Sequence, residues 1–155
     1  MTLEAKILTV SESVNRGTRE DRSGAALAEV LTTHRFSVVE RQVAPDGIGP
    51  VSEALTLLAQ DFAGLVVTTG GTGFSPTDLT PEATRRVITR EAPGLAEAMR
   101  AASPLGRLSR GVAGTIDGCL VLNTPGSPRG AVESLEAIID VLPHALELLA
   151  GGHPH

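Results

Sequence analysis

Apolar residues fall along the chain in short blocks whose spacing alternates between that of strands and that of helices. Residues 5–10 (AKILTV) form a brief mixed run that stops at Ser11 and reads as a strand. Residues 25–34 are rich in Ala and Leu and put Leu27, Val30 and Leu31 on one face, which predicts a helix. A β-rich pattern returns over 36–43, the turn APDGIG follows, and Pro50 suits the first turn of a helix. The run GLVVTT at 64–69 is almost continuously apolar or β-branched, as a strand covered on both faces should be. Thr80-Pro81-Glu82 marks a helix start, with Thr80 as the cap, Pro81 at the first position and Glu82 favouring the dipole.

Further along, residues 94–102 predict a helix. Strands over 112–116 and 119–123 meet across Asp117-Gly118, the composition of a two-residue type I′ turn. Residues 129–149 predict a long helix that Pro143 kinks or divides. Strands alternate with helices and one hairpin comes late. The expected fold is therefore α/β, a three-layer sandwich with a mostly parallel sheet. With 155 residues, the chain is expected to form one domain over 1–150 with a flexible tail at 151–155. Ligands of such sheets gather beyond the strand C-termini, where the glycine-rich loops at 70–73 and 124–128 would emerge.

Composition narrows the class. The single cysteine, Cys119, excludes an intrachain disulfide framework and a Cys-based zinc ribbon, and it suits a reducing compartment. As the first residue of a buried strand, it reads as core rather than nucleophile. No apolar run reaches about 18 residues, and the first ten lack a secretory core. A cytoplasmic protein without a membrane span is expected. A net charge of −5, no Trp or Tyr and three Phe argue against nucleic-acid binding. Lys6 is the only lysine among 13 basic residues. The twelve arginines reflect either coding bias or a need for forks on phosphate and carboxylate.

The loop Gly70-Gly71-Thr72-Gly73 is either an anion cradle or a plain tight turn. It lacks the Lys-Ser/Thr of a P-loop and the third glycine of a dinucleotide fingerprint. Asp78, just past it, and Asp46, in Pro45-Asp46-Gly47, are turn residues or supports for a divalent metal beside a phosphate. Arg16, Arg19 and Arg22 belong either to a solvated loop or to a flap over a polyanion. In Pro125-Gly126-Ser127-Pro128-Arg129, the Ser127 hydroxyl and the start of the last helix suit an anion. No GxSxG elbow or HxxxH pair is present. Binding of a phosphate-bearing ligand fits better than hydrolysis through a covalent nucleophile.

These segments together resemble the MogA/MoaB family of molybdenum cofactor biosynthesis proteins, a fold also found as a domain of gephyrin. The resemblance rests on Thr68 to Gly73 with Asp78 to Thr84, on Asn123 to Pro128, on Ser11 through Gly24, and on Leu142-Pro143-His144-Ala145. It implies a molybdopterin adenylyltransferase, which moves AMP from Mg-ATP to the terminal phosphate of molybdopterin and releases pyrophosphate. Asp46 and Asp78 match the acidic positions linked to catalysis and Mg2+. Substrate binding falls to Ser11, Thr69, Gly70, Gly71, Thr72, Gly73, Pro125, Gly126, Ser127 and Arg129. The resemblance also implies a homo-oligomer, trimeric with hexameric relatives, and a downstream molybdate-insertion enzyme as partner. The rival reading is a non-catalytic member that binds a pterin or another protein. Four departures stand out. Thr77 replaces an arginine of many relatives, Glu12 an aspartate and Arg129 a lysine, and Ile116-Asp117 stand where Arg-Gly is common.

Overall fold

A computed structural model describes residues 2–152; the last three residues of the predicted tail lie outside them. Six strands form one sheet: β1 (Leu3–Val10), β2 (Phe36–Ala44), β3 (Gly64–Thr69), β4 (Arg90–Glu91), β5 (Ala113–Ile116) and β6 (Cys119–Thr124). Their spatial order is β2-β1-β3-β6-β5-β4. The first four in that order run parallel, while β5 and β4 run antiparallel to their neighbours. The expected three-layer α/β sandwich with a late hairpin is the fold observed.

Alternation along the strands builds two cores. Ile7, Leu65, Val67, Leu120 and Leu122 face one side, where α2 (Arg22–Thr33), α5 (Pro93–Arg100), α6 (Pro128–Glu136) and α7 (Leu142–Leu149) supply Leu27, Met99, Leu135 and Leu142. Leu8, Val10, Val66, Cys119 and Val121 face the other, against Val51 and Leu55 of α3 (Ile48–Ala59) and Ala83 of α4 (Thr80–Val87). Each fully buried leucine contributes about 1.5–3 kcal/mol, and a one-residue slip of β3 would exchange its two faces. Burial also pushes the Cys119 thiol up to about 12, so it is a core residue. Lys6, the sole lysine, spans β1 and the end of α3. It donates to the Leu58 carbonyl at 3.0 Å, pairs with Glu40 at 3.5 Å and sits 4.1 Å from the Phe62 ring centre.

Several local expectations are corrected. The stretch after β1 is more ordered than its charge suggests, holding α1 (Glu12–Asn15) and the first turn of α2. Ser11 caps α1 through the Val14 N–H, and Asp21 caps α2 through the Gly24 N–H at 2.9 Å. Thr80 is not a cap. Leu79 holds that position, and the Thr80 hydroxyl donates instead to the Gly70 carbonyl at 2.9 Å. The C-terminal stretch is divided, as Pro143 led one to expect, into two helices, α6 and α7. Pro143 sits at the second position of α7, where its missing N–H has no partner to lose, and its ring excludes the turn before it. At the hairpin turn only Asp117 has positive φ, so the turn is not type I′; Gly118 accepts the other sign as readily.

Candidate functional site

The parallel strands end level with one another, with Thr9 beside Thr69 and Thr69 beside Thr124. The segments that leave them enclose a polar cavity of about 590 Å3. Side-chain hydrogen bonds lock its floor. Thr69 donates to the Pro125 carbonyl at 2.7 Å, and Thr124 donates to the Thr68 carbonyl at 2.8 Å. The β3 and β6 loops are thereby held as one unit, and Gly126 approaches so closely that a Cβ there would meet the Gly70 Cα at 3.4 Å. Gly70 and Gly71 both have positive φ, at 102° and 68°. A side chain at Gly70 would collide with the Val10 carbonyl, and one at Gly71 with the Thr80 hydroxyl.

Ser11, Thr69, Gly70, Gly71, Gly126, Ser127, Asp46 and Asp78 all border this cavity, as do Glu12, Arg19 and Arg22. The other predicted residues sit elsewhere. Thr72 is buried, and its carbonyl accepts the Arg110 backbone N–H. Gly73 turns its carbonyl to the Arg110 side chain. Pro125 and Arg129 border a second, more apolar cavity of about 500 Å3 between α5 and α6, which shares Ser127 with the first. Arg129 is 90% exposed and pairs with Glu133 at 2.8 Å, one turn along the helix. The Ser127 hydroxyl caps α6 through the Gly130 N–H at 3.1 Å.

Five carboxylate residues border the polar cavity, Glu12, Glu20, Asp21, Asp46 and Asp78, and three of them, Glu12, Asp46 and Asp78, are electrostatically coupled. Burial raises the Asp46 carboxyl above its usual range, and the charges of Glu12 and then Asp78 raise it further. Glu12 also accepts the Asp46 backbone N–H at 3.1 Å and lies 3.7 Å from Arg16. Asp78 uses Oδ2 to accept the Ser75 N–H at 3.0 Å. The donors are all oxygen, without imidazole or thiol, which suits a hard cation such as Mg2+. Among the described residues no three such side chains form a closed metal cage. Mg2+ ordinarily needs only one or two carboxylates and completes its shell with water and substrate phosphate. A divalent ion between Asp46 and Asp78 would also relieve the repulsion that lifts Asp46.

The raised Asp46 carboxyl, held up first by burial and then by neighbouring charge, gives a stability prediction. A raised carboxyl pKa means the ionised form costs the fold stability at neutral pH, and the cost disappears once pH falls below the ordinary carboxylate range. Asp46→Asn is therefore expected to raise Tm at pH 7 by about 1–3 °C, on a scale of roughly 2–4 °C per kcal/mol. The gain should vanish near pH 3 and shrink when Mg2+ stabilises the wild type. Calorimetry across pH, with and without Mg2+, tests this; a lower Tm for the variant at pH 7 would refute it.

The departures noted in the sequence fall mostly away from this cavity. Ile116 and Asp117 lie in the hairpin at the opposite end of the sheet, and Thr77 is exposed and pairs with Ser75. Sequence reasoning missed Thr80 as the lock beneath Gly70, and it missed Arg110, which binds the segment carrying Asp78. A lone arginine before a short strand carries no periodic signal. Only the folded chain pairs it with residues 72–78.

Fold and site together define an α/β protein whose glycine-rich strand-end loops share one cavity with Asp46 and Asp78. Residues 6–144 match the family described as a probable molybdopterin binding domain, and the chain belongs to that family. It is 35% identical over 159 residues to a molybdopterin adenylyltransferase of Helicobacter pylori, covering 98% of this chain and 90% of that one. The structure is similar to that of the molybdopterin biosynthesis enzyme MoaB of Thermus thermophilus, with TM-score 0.91, 47% identity and coverage of 96% and 97%. It is also similar to the Mog protein of Mycobacterium ulcerans, with TM-score 0.88, 41% identity and coverage of 95% and 99%.

Proposed function

We propose that this protein is a molybdopterin adenylyltransferase that joins AMP from ATP to the terminal phosphate of molybdopterin. The observation that carries this reading is the meeting of Asp46 and Asp78 with backbone N–H groups at one cavity. Gly71, Gly126 and Ser127 border it, and their N–H groups have no partner among the described residues. Such groups suit phosphate oxygens, and carboxylates beside phosphates are intelligible when a divalent cation lies between them.

In the proposed step, a terminal phosphate oxygen of molybdopterin attacks the α-phosphorus of ATP. The new P–O bond forms as the bond to the β-phosphate bridge breaks, and pyrophosphate leaves with that electron pair. Asp46 and Asp78 would hold Mg2+, which supplies charge neutralisation on the phosphates. The locked β3 and β6 loops keep the two phosphate groups in register, and the glycines, bare of side chains, let them reach the main chain. Thr69 acts beneath the loops as a lock, and Ser127 orders the N-terminus of α6. No protein nucleophile is needed, in keeping with the buried Cys119.

A homotrimer in the cytoplasm, delivering product to a molybdate-inserting enzyme, belongs to the same reading. The test is to mix purified protein with molybdopterin and Mg-ATP and to measure pyrophosphate and adenylylated pterin together. Product that requires both substrates upholds the proposal. Pterin binding without product would assign the chain to ligand binding alone.

A further inference from the structure

Residues 72–78 join β3 to α4 through an irregular excursion that carries Asp78. Little packing holds it, since residues 74–77 are exposed and Phe74 is 70% exposed. Arg110, in the stretch leading into β5, ties it instead at three carbonyls. Its backbone N–H donates to Thr72 at 2.8 Å, its Nε–H to Gly73 at 2.8 Å and its Nη2 to Asp78 at 2.5 Å. The outer edge of the guanidinium forks onto Glu82 at the start of α4, at 2.7 Å and 3.3 Å. Four of the five guanidinium hydrogens are thus committed within the protein. A group so occupied is not available as a ligand for substrate phosphate.

The remaining freedom of Asp78 is small. Its N–H donates to the Ser75 carbonyl at 2.9 Å, and its carboxylate accepts the Ser75 N–H. The carboxylate therefore follows the main chain of the excursion, and Arg110 fixes that main chain at both ends. We infer that Arg110 is a positioning residue for Asp78, setting where this carboxylate stands across the cavity from Asp46. The inference rests on the adenylyl-transfer reading for its effect on turnover. Geometry is the essential contribution. A lysine would keep the charge, but one ammonium cannot span Gly73, Asp78 and Glu82 as a planar fork does.

The test uses Arg110→Lys, Arg110→Ala and Glu82→Gln in the full chain, with folding checked by circular dichroism. Arg110→Lys is expected to lose about 10²-fold in kcat with the KM for ATP nearly unchanged. Titration with Mn2+ alone, read by electron paramagnetic resonance, should show affinity weakened about tenfold. Methylguanidinium should restore much of the activity of Arg110→Ala. Glu82→Gln keeps one acceptor for the fork and should lose roughly three- to tenfold. Wild-type kcat and Mn2+ affinity in Arg110→Lys would overturn the inference, because charge alone would then suffice. So would unfolding of all three variants at 25 °C, which would assign Arg110 to maintaining the fold. A wild-type protein that transfers no AMP defeats the function reading instead. The Mn2+ titration then still decides the positioning role: weaker binding in Arg110→Lys upholds it, and equal binding, or none in either protein, rejects it.

Discussion

Asp78→Asn is expected to lower kcat for adenylyl transfer on the order of 10²–10³-fold while leaving the fold intact. Asparagine is nearly the same shape and keeps an oxygen to accept the Ser75 N–H, so the excursion should hold its course. What disappears is the negative charge that faces Asp46 and would share a divalent cation with it. Tm should stay close to that of the wild type, and the KM for ATP should change far less than kcat. Release of pyrophosphate and formation of adenylylated pterin, measured on the same samples, check both halves. Turnover above a tenth of wild type would remove Asp78 from the chemistry.

The largest stability effect is expected at Gly70. Its φ of 102° lies where residues with a side chain are strained, and a Cβ there would strike the Val10 carbonyl. That carbonyl belongs to the end of β1 and cannot swing aside as a flexible side chain would. Gly70 also donates its N–H to the Thr124 carbonyl at 3.1 Å, so displacing it loosens the joint between the β3 and β6 loops. Gly70→Ala should cost about 3 kcal/mol or more, a fall of roughly 10 °C in Tm. Gly94→Ala serves as the control. It lies in the first turn of α5 with open space around it and should be neutral or slightly stabilising. Equal Tm values for the two variants would show that the Gly70 conformation is not required.

Much of the fold was legible because periodicity and local chemistry agreed. The strand at 64–69 is apolar on both faces, and the structure buries all of it between two helical layers. Pro143 divides a helix, as its ring dictates by excluding the turn before it. The two-residue β4 was not legible, being too short to show a period and too exposed to show a face. The helix start near Thr80 was read correctly in place but wrongly in cause. The residue type suited a cap, while the approach of Gly70 gave its hydroxyl a different acceptor.

The site was legible in its residue types and not in its assembly. Glycines and aspartates after strands suggested anions and a cation, but no spacing reveals that the loops of Asp46 and Asp78 face each other. The coupling of Asp46 to Asp78 and Glu12 exists only after the strands are ordered in space. Arg129 shows the converse. Its sequence neighbourhood suited an anion, yet the helix turns it toward Glu133. A long side chain beginning near a site can end elsewhere.

The fold distributes its backbone tension unevenly. Arg35, Asp61 and Asp117, the non-glycine residues with positive φ among those described, all lie in turns that feed β2, β3 and β6 at their starting ends. At the opposite end, beside the cavity, positive φ falls on Gly70 and Gly71, which already have the least to lose. Each left-handed residue with a side chain costs roughly 1–2 kcal/mol, so the end remote from the chemistry holds a reserve of stability that glycine could release. The two rims of the sheet therefore answer to different demands. One is free to be hardened, while at the other the Val10 carbonyl and the Thr80 hydroxyl fill the space that side chains on Gly70 and Gly71 would need.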